Sequence, residues 1–171
     1  KLKGSFIVEI EKNEDERGFF ARTYDVDEFK KHGLNSKIVQ CSISDNIKKN
    51  TLRGMHFQIT PYEETKIINC IKGKIYDVIV DLRVNSDTLY EWNGIELNEH
   101  DNKMIYVPKG FAHGFQTLED NSEILYQVSQ FYSPNSEKGI RWDDPTFKIK
   151  WPIKTTDISE KDQNWNLFEE D

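Results

Sequence analysis

Hydrophobic and polar residues alternate in short runs over most of the chain: Ser5 to Glu11, Phe19 to Tyr24, Lys37 to Ser42, Leu52 to Gln58, Lys66 to Ile71, Ile75 to Leu82, Tyr90 to Leu97, Lys103 to Val107, Gly114 to Leu118 and Glu123 to Tyr132. A period of two, rich in Val, Ile, Phe and Tyr, marks strands with one face buried, so the pattern predicts mostly sheet. Lys72-Gly73 and Asn121-Ser122 each separate two runs, and turn chemistry of that kind predicts antiparallel hairpins. A single short helix is expected after Asp25, a good N-cap with Glu28 three residues on, ending where Gly33 can take the left-handed C′ conformation.

Many short strands with turns at intervals of roughly 8–12 residues argue for an all-β sandwich or jelly-roll barrel with few helices. No strand–helix–strand unit, internal repeat or Gly-rich phosphate loop interrupts the pattern. The segment from Pro145 onward carries Trp and Lys and reads as an ordered tail wrapping the barrel, with Phe168 to Asp171 expected to fray.

A length of 171 residues suits one domain, 1–171, with a real core, and the 12% of aromatic residues lie inside the strand-like runs. The net charge of -7 disfavours a nucleic-acid partner, which needs a broad basic surface, yet leaves room for one small anion in a local basic pocket. Cys41 and Cys70 form no close-spaced pair, so neither a disulfide framework nor a cysteine-based zinc site is expected. No apolar run reaches the ~20 residues that span a bilayer, and Lys1-Leu2-Lys3-Gly4 does not resemble a secretion signal; no membrane association and a cytoplasmic location are the expectation.

Candidate chemistry centres on Arg53-Gly54-Met55-His56-Phe57-Gln58, which places a histidine two residues after a strand-bending glycine, and on Pro108 to His113, which reads as a second histidine on a tight turn. Parity puts Asp77, Ile79 and Asp81 on one face of a strand and Tyr76, Val78, Val80 and Leu82 on the other. A polar lining behind an apolar outer face marks a ligand cavity or a satisfied polar network. Tyr126, Val128, Gln130 and Tyr132 share a face, with Phe131 turned away, and Lys66 shares one with Ile68 and Cys70. An inward lysine implies a carboxylate, a phosphate or a developing oxyanion nearby. Parity sends Arg53 to the face opposite His56, so both reach one site only if Gly54 lies in a bulge.

Competing readings are weaker. Pro108-x-Gly110-x-x-His113 is a spacing found in metal-holding cupin barrels, but Gln58 stands where a His-x-His pair would need its second histidine, and His32 and His100 lie in polar, turn-like contexts; no metal is expected. There is no Gly-x-Ser-x-Gly elbow, and Cys70 has no histidine base in its segment. Arg17-Gly18-Phe19-Phe20 with Arg22 forms a basic, aromatic patch suited to a phosphate and a stacked base, or to a solvated hairpin.

Taken together, Asp15 to Phe20, Arg53 to Gln58, Lys66, Tyr76-Asp77-Val78 with Asp81-Leu82-Arg83, Pro108 to Phe115, Gly139 to Trp142 and Ser159 to Asp162 resemble the dTDP-4-dehydrorhamnose 3,5-epimerase family over nearly the whole chain. The resemblance implies a cupin jelly roll, a nucleotide-diphosphate 4-keto-sugar substrate and proton transfer without a cofactor. It implies His56 as general base with Asp162 as its orienting partner, Lys66 beside the keto oxygen, and Tyr126 as the acid on the opposite face. It also implies Arg53 near the diphosphate, His113 and Asp77 about the sugar, and Tyr132 close to the substrate. Gln40, Gln58 and Arg141 are assigned to substrate binding with them, as is Arg22 from the basic patch. Arg17 implies a homodimer in which exchanged N-terminal strands carry it to the neighbouring subunit's nucleotide site.

The chain departs from the family's usual pattern at Arg22, where glutamate is common, at Gln40-Cys41-Ser42 in place of Gln-Asp-Asn, and at Glu64-Thr65 in place of Gln-Gly. These departures cluster on nucleotide contacts, so the base (dTDP or GDP), the sugar (hexose or heptose) and the choice of C3, C5 or both stay open. A sugar 3,4-ketoisomerase and a non-catalytic sugar- or metal-binding cupin are the alternatives.

Overall fold

The computed structural model of the protein describes residues 2–154 and 157–168. Along the chain run β1 (Phe6–Glu9), β2 (Lys12–Asp15), β3 (Gly18–Ala21), α1 (Val26–Lys31), β4 (Gln40–Asn46), β5 (Thr51–Gln58), β6 (Lys66–Lys72), β7 (Lys74–Asp81), β8 (Trp92–Asn98), β9 (Lys103–Val107), β10 (Phe111–Thr117), β11 (Ser122–Val128), β12 (Glu137–Gly139), β13 (Asp157–Ile158) and α2 (Glu160–Gln163). Helix α1 begins as its sequence predicts, with the Asp25 carboxylate accepting from the Asp27 and Glu28 backbone N–H groups, and Gly33 after it has φ +69°. Strands β2, β12 and β13 were not foreseen. They are short and mostly polar, and the edge each one pairs with, rather than its own alternation, makes it a strand.

Two sheets face each other, one ordered β1-β9-β6-β11-β4 and the other β12-β5-β10-β7-β8, with β13 added in parallel to β5. The expected hairpins at Lys72-Gly73 and Asn121-Ser122 do not form, because each turn carries the chain from one sheet to the other. A tight turn dictates reversal of direction, whereas the partner strand is chosen by burial. Among the described residues only β2–β3 and β7–β8 pair with a sequence neighbour, and the crossings of the rest give the jelly roll. His113, expected on a turn, lies within β10: the turn at Gly110 ends before Phe111, and His113 pairs with Ile79 and His56.

Between the sheets lie Ile68, Cys70, Ile105, Val107 and Ile124 from one side and Ile75, Ile79, Leu97, Phe111 and Phe115 from the other. Each such side chain contributes about 1.5–3 kcal/mol on burial. The outward apolar face of β7, with Val78 and Val80, is covered by Phe147, Trp151 and Phe168, so the tail wraps the barrel. Phe168, expected to fray, donates its N–H to Asp144 Oδ2 at 2.6 Å and packs its ring on Tyr90 and Phe147; residues 169–171, where the rest of that expectation falls, lie outside the described residues. Gln116 ties the same tail down, its side chain bonding both the N–H and the C=O of Ile153.

Two local features decide how the site is held. On β5 the step from His56 to Arg53 matches the step from His113 to Phe115 on β10, one residue longer, so β5 bulges at Gly54. Gly54 has φ +123°, and a Cβ there would lie 2.6 Å from Gly114 Cα and 2.8 Å from the His113 carbonyl oxygen. The bulge reverses the parity and brings Arg53 to the inner side, where Nε donates to Asn46 Oδ1 of the facing sheet at 2.7 Å. Asp81, placed by parity with the cavity face, instead closes the following loop: its fully buried carboxylate accepts from Arg83, Ser86 and Thr88.

Gly54→Ala is expected to cost at least about 1–3 kcal/mol of unfolding free energy from backbone conformation alone; an unchanged urea midpoint would contradict the close approach to Gly114. For Asp81, burial resists ionisation, but the bonds from Arg83, Ser86 and Thr88 outweigh it and hold the pKa at about 2 against an ordinary 3.8. A depressed carboxylate stabilises the fold fully above about pH 4 and loses that contribution as pH falls toward 2. The stability difference between the protein and Asp81→Asn should therefore shrink by about 2 kcal/mol across that interval when urea unfolding is measured at each pH.

Candidate active site

At one end of the sandwich the two sheets part around a cavity of about 280 Å³ lined by Gln40, Ser42, His56, Phe57, Gln58, Glu64, Lys66, Tyr126, Val128, Gln130, Tyr132 and Glu137. His56 and Gln58 come from β5 of one sheet, and Lys66, Tyr126 and Val128 come from β6 and β11 of the other. An imidazole and a phenol thus enter the same space from opposite walls. The face predicted for Tyr126, Val128, Gln130 and Tyr132 is the lining face, although β11 ends at Val128, and Phe131 points outward, 57% exposed.

His56 is fixed from behind. Parallel pairing of Asp157–Ile158 with Thr51 and Leu52 returns the tail beside β5, and Ser159 caps α2 by accepting the Asp162 N–H. Asp162, only 3% exposed, then meets His56 Nε2 at 2.6 Å, accepts the Gly54 N–H at 3.1 Å and accepts Trp165 Nε1–H at 3.4 Å. Burial works against ionisation of Asp162, but the bonds and charge of His56 and the donors from Gly54 and Trp165 outweigh it and lower its pKa. An ionised carboxylate only accepts, so Nε2 carries the hydrogen and Nδ1 is left with its lone pair as the basic atom. Trp165 lies edge-on to the imidazole, in space that a side chain at position 139 would fill: a Cβ on Gly139 would sit 2.2 Å from the indole.

On the facing wall, the partly buried Tyr126 has its pKa raised by burial first and by the charge of Asp77 second, with Arg53 opposing. It is a phenol that holds its proton. Behind it, His113 is 4% exposed, its ring edge-on to Tyr126 at 5.9 Å and its Nε2 2.7 Å from Asp77 Oδ2. Asp77 is fully buried, and its Oδ1 has no hydrogen-bond partner among the described residues. His113 and Asp77 thus stand behind Tyr126, next to the residues that line this cavity.

Lys66 meets the carboxylate that an inward lysine requires. Its Nζ lies 3.1 Å from Glu64 Oε1 and donates to the His56 carbonyl oxygen at 3.1 Å. Glu64 and Glu137 are lining residues that sequence reasoning did not assign. Glu137 had a signal only once β12 was known, because pairing with β5 puts it opposite Gln58 and Gly139 opposite His56. It accepts from Tyr132 Oη at 2.7 Å and pairs with Lys161 Nζ at 2.6 Å, one residue from Asp162.

Of the remaining expected residues, one lies in this cavity and three lie outside it. Gln40 lines the cavity and accepts the Tyr132 N–H at 2.8 Å, but Arg141 pairs with Asp143 beyond it. Arg17 sits at the tip of the β2–β3 hairpin, paired with Asp15, and Arg22 pairs with Asp25 and lines a separate cavity of about 710 Å³ bounded by β1, the hairpin and α1. Among the described residues no three His, Cys, Asp or Glu side chains converge as metal ligands, and no helix is long and apolar enough to cross a membrane.

The sequence model described as dTDP-4-dehydrorhamnose 3,5-epimerase matches residues 1–170. A protein of that name from Methanothermobacter thermautotrophicus is 41% identical over 172 residues, covering 99% of this chain and 92% of its own. The crystal structure of dTDP-4-dehydrorhamnose 3,5-epimerase from Elizabethkingia anophelis superposes with a TM-score of 0.94 at 38% identity, covering 98% of this chain and 92% of that one. Its counterpart from Bacillus anthracis, solved with TDP and PPi bound, gives 0.94 at 36% identity over 98% and 99%. A chain matched from end to end, folded as a cupin barrel with a histidine and a tyrosine on facing walls of one cavity, places this protein in the dTDP-4-dehydrorhamnose 3,5-epimerase family, as an isomerase acting on nucleotide sugars.

Proposed function

We propose that the protein epimerises a dTDP-linked 4-keto-6-deoxyhexose at C3, C5 or both, with His56 as base and Tyr126 as acid. The observation that carries this reading is the entry of the two rings into one cavity from opposite sheets. The C4 ketone acidifies the hydrogens on its neighbouring carbons. His56 Nδ1 takes one of them, the C–H electron pair moves toward the C4 oxygen, and Lys66 donates a hydrogen bond to the enolate oxygen. Tyr126 Oη then gives its proton to the opposite face of the same carbon, and configuration inverts. Its raised pKa suits this order, because the phenol releases its proton only to a strongly basic enolate carbon. Asp162 holds the imidazole tautomer that makes the step available. A GDP-linked substrate differs in groups remote from these atoms, and the departures at Arg22 and Cys41 are where such a preference would reside; a heptose differs next to C5.

The proposed assembly is a homodimer with N-terminal strand exchange. Supporting it, Phe19 and Phe20 on the hairpin are 59% and 70% exposed beside Arg17, and β1 and β4 are open sheet edges.

Incubation with dTDP-4-keto-6-deoxyglucose in deuterated water tests the chemistry. His56→Asn should abolish exchange at C3 and C5, a loss of at least about 10²–10⁴-fold. Tyr126→Phe should still wash deuterium in from the His56 face while forming little inverted product; inversion at the unmodified rate would remove Tyr126 from the mechanism. Parallel incubations with GDP-linked 4-keto sugars decide the nucleotide. For the dimer, sedimentation should give twice the chain mass, and charged replacements at Phe19 and Phe20 should shift it to one; a monomer in both would overturn the assembly.

A further inference from the structure

We propose that Glu64 is a positioning residue for the reaction, acting through Lys66; the inference rests on the role given to Lys66 above. Glu64 lies in the loop before β6, and its side chain is only 8% exposed within the cavity wall. Each carboxylate oxygen has its own donor: Oε1 faces Lys66 Nζ at 3.1 Å, and Oε2 accepts Gln58 Nε2–H at 2.9 Å. Gln58 is itself immobilised, donating its other N–H to the Tyr62 carbonyl at 2.9 Å, with the Phe131 carbonyl sharing at 3.3 Å, and accepting the Ser133 N–H at 2.6 Å. The adjoining Thr65 is fixed against the end of β11 by reciprocal bonds with Ser129, at 2.8 and 3.0 Å.

These contacts form a closed brace from Lys66 through Glu64 and Gln58 to β5, and back through the His56 carbonyl, which Lys66 also engages. An ammonium has three N–H groups. Glu64 and the His56 carbonyl occupy two of them, and the third is left for the cavity. The donor that meets the enolate oxygen is therefore aimed by Glu64 and referenced to the same strand that carries the base. Preorganised aim is what such a donor requires, since a misplacement near 1 Å can cost on the order of a hundredfold in rate. Glutamine, common at this position in the family, makes only part of the brace: its single carbonyl oxygen can face Lys66 or Gln58, and its amide would turn N–H groups toward a second donor.

The test is steady-state kinetics and deuterium wash-in with dTDP-4-keto-6-deoxyglucose for Glu64→Ala, Glu64→Gln, Lys66→Ala and the Glu64→Ala/Lys66→Ala double variant, with thermal melting as a check on folding. Glu64→Ala should lower kcat by roughly ten- to a hundredfold with KM changed less than about twofold, and Glu64→Gln, which keeps size and fold, should fall between it and the unmodified protein. Introducing Glu64→Ala into Lys66→Ala should cost nothing further. An unchanged kcat in both Glu64 variants, an effect on KM alone, or losses that multiply in the double variant would each overturn the proposal. Loss of rate in Lys66→Ala with full rate in the Glu64 variants would sink this inference and leave the proposed role of Lys66 intact; full rate in Lys66→Ala would remove both.

Discussion

The bond between Asp162 and His56 joins residues 106 positions apart, and much of the architecture serves it. A carboxylate buried to 3% exposure is costly unless each oxygen is satisfied, and here the imidazole, the Gly54 N–H and the Trp165 indole meet that demand. Delivering it requires the tail to cover the outer face of the sheet, add β13 beside β5 and turn into α2 within a few residues. The tail is thus both the cover of the second apolar cluster and the support of the His56 imidazole.

The second requirement is separation. A base and an acid on one strand would attack and protonate a carbon from the same side, whereas inversion needs opposite sides. The jelly roll meets this because consecutive strands cross between sheets, so β5 and β11 face each other across the cavity instead of pairing. The bulge at Gly54, possible only where Gly54 and Gly114 both lack a side chain, shifts the register of β5 without ending its pairing to β10.

Behind each working group stands a second one. Asp162 steadies His56, the His113–Asp77 pair backs Tyr126, and the Glu137–Lys161 pair links the cavity rim to the helix that bears Asp162. The cavity holds more carboxylate than a site for a dianionic diphosphate would choose, with Glu64 and Glu137 both in its lining.

Local pattern specified the strands of the main sheets other than β12 and β13, the α1 cap at Asp25, the inward faces of β6, β7 and β11, and the need for a bulge if Arg53 and His56 were to share a side. Each of these is local: a period of two or a capping side chain acts over a few residues. Only the tertiary structure decided that the turns at Gly73 and Asn121 cross between sheets, that His113 and Asp77 lie behind the phenol, and that Glu64 and Glu137 line the cavity. The physical reason is range. Whether a polar side chain faces a ligand or a protein partner depends on which distant strand is packed against it, and that is settled by burial of the whole core rather than by the residue's neighbours in sequence.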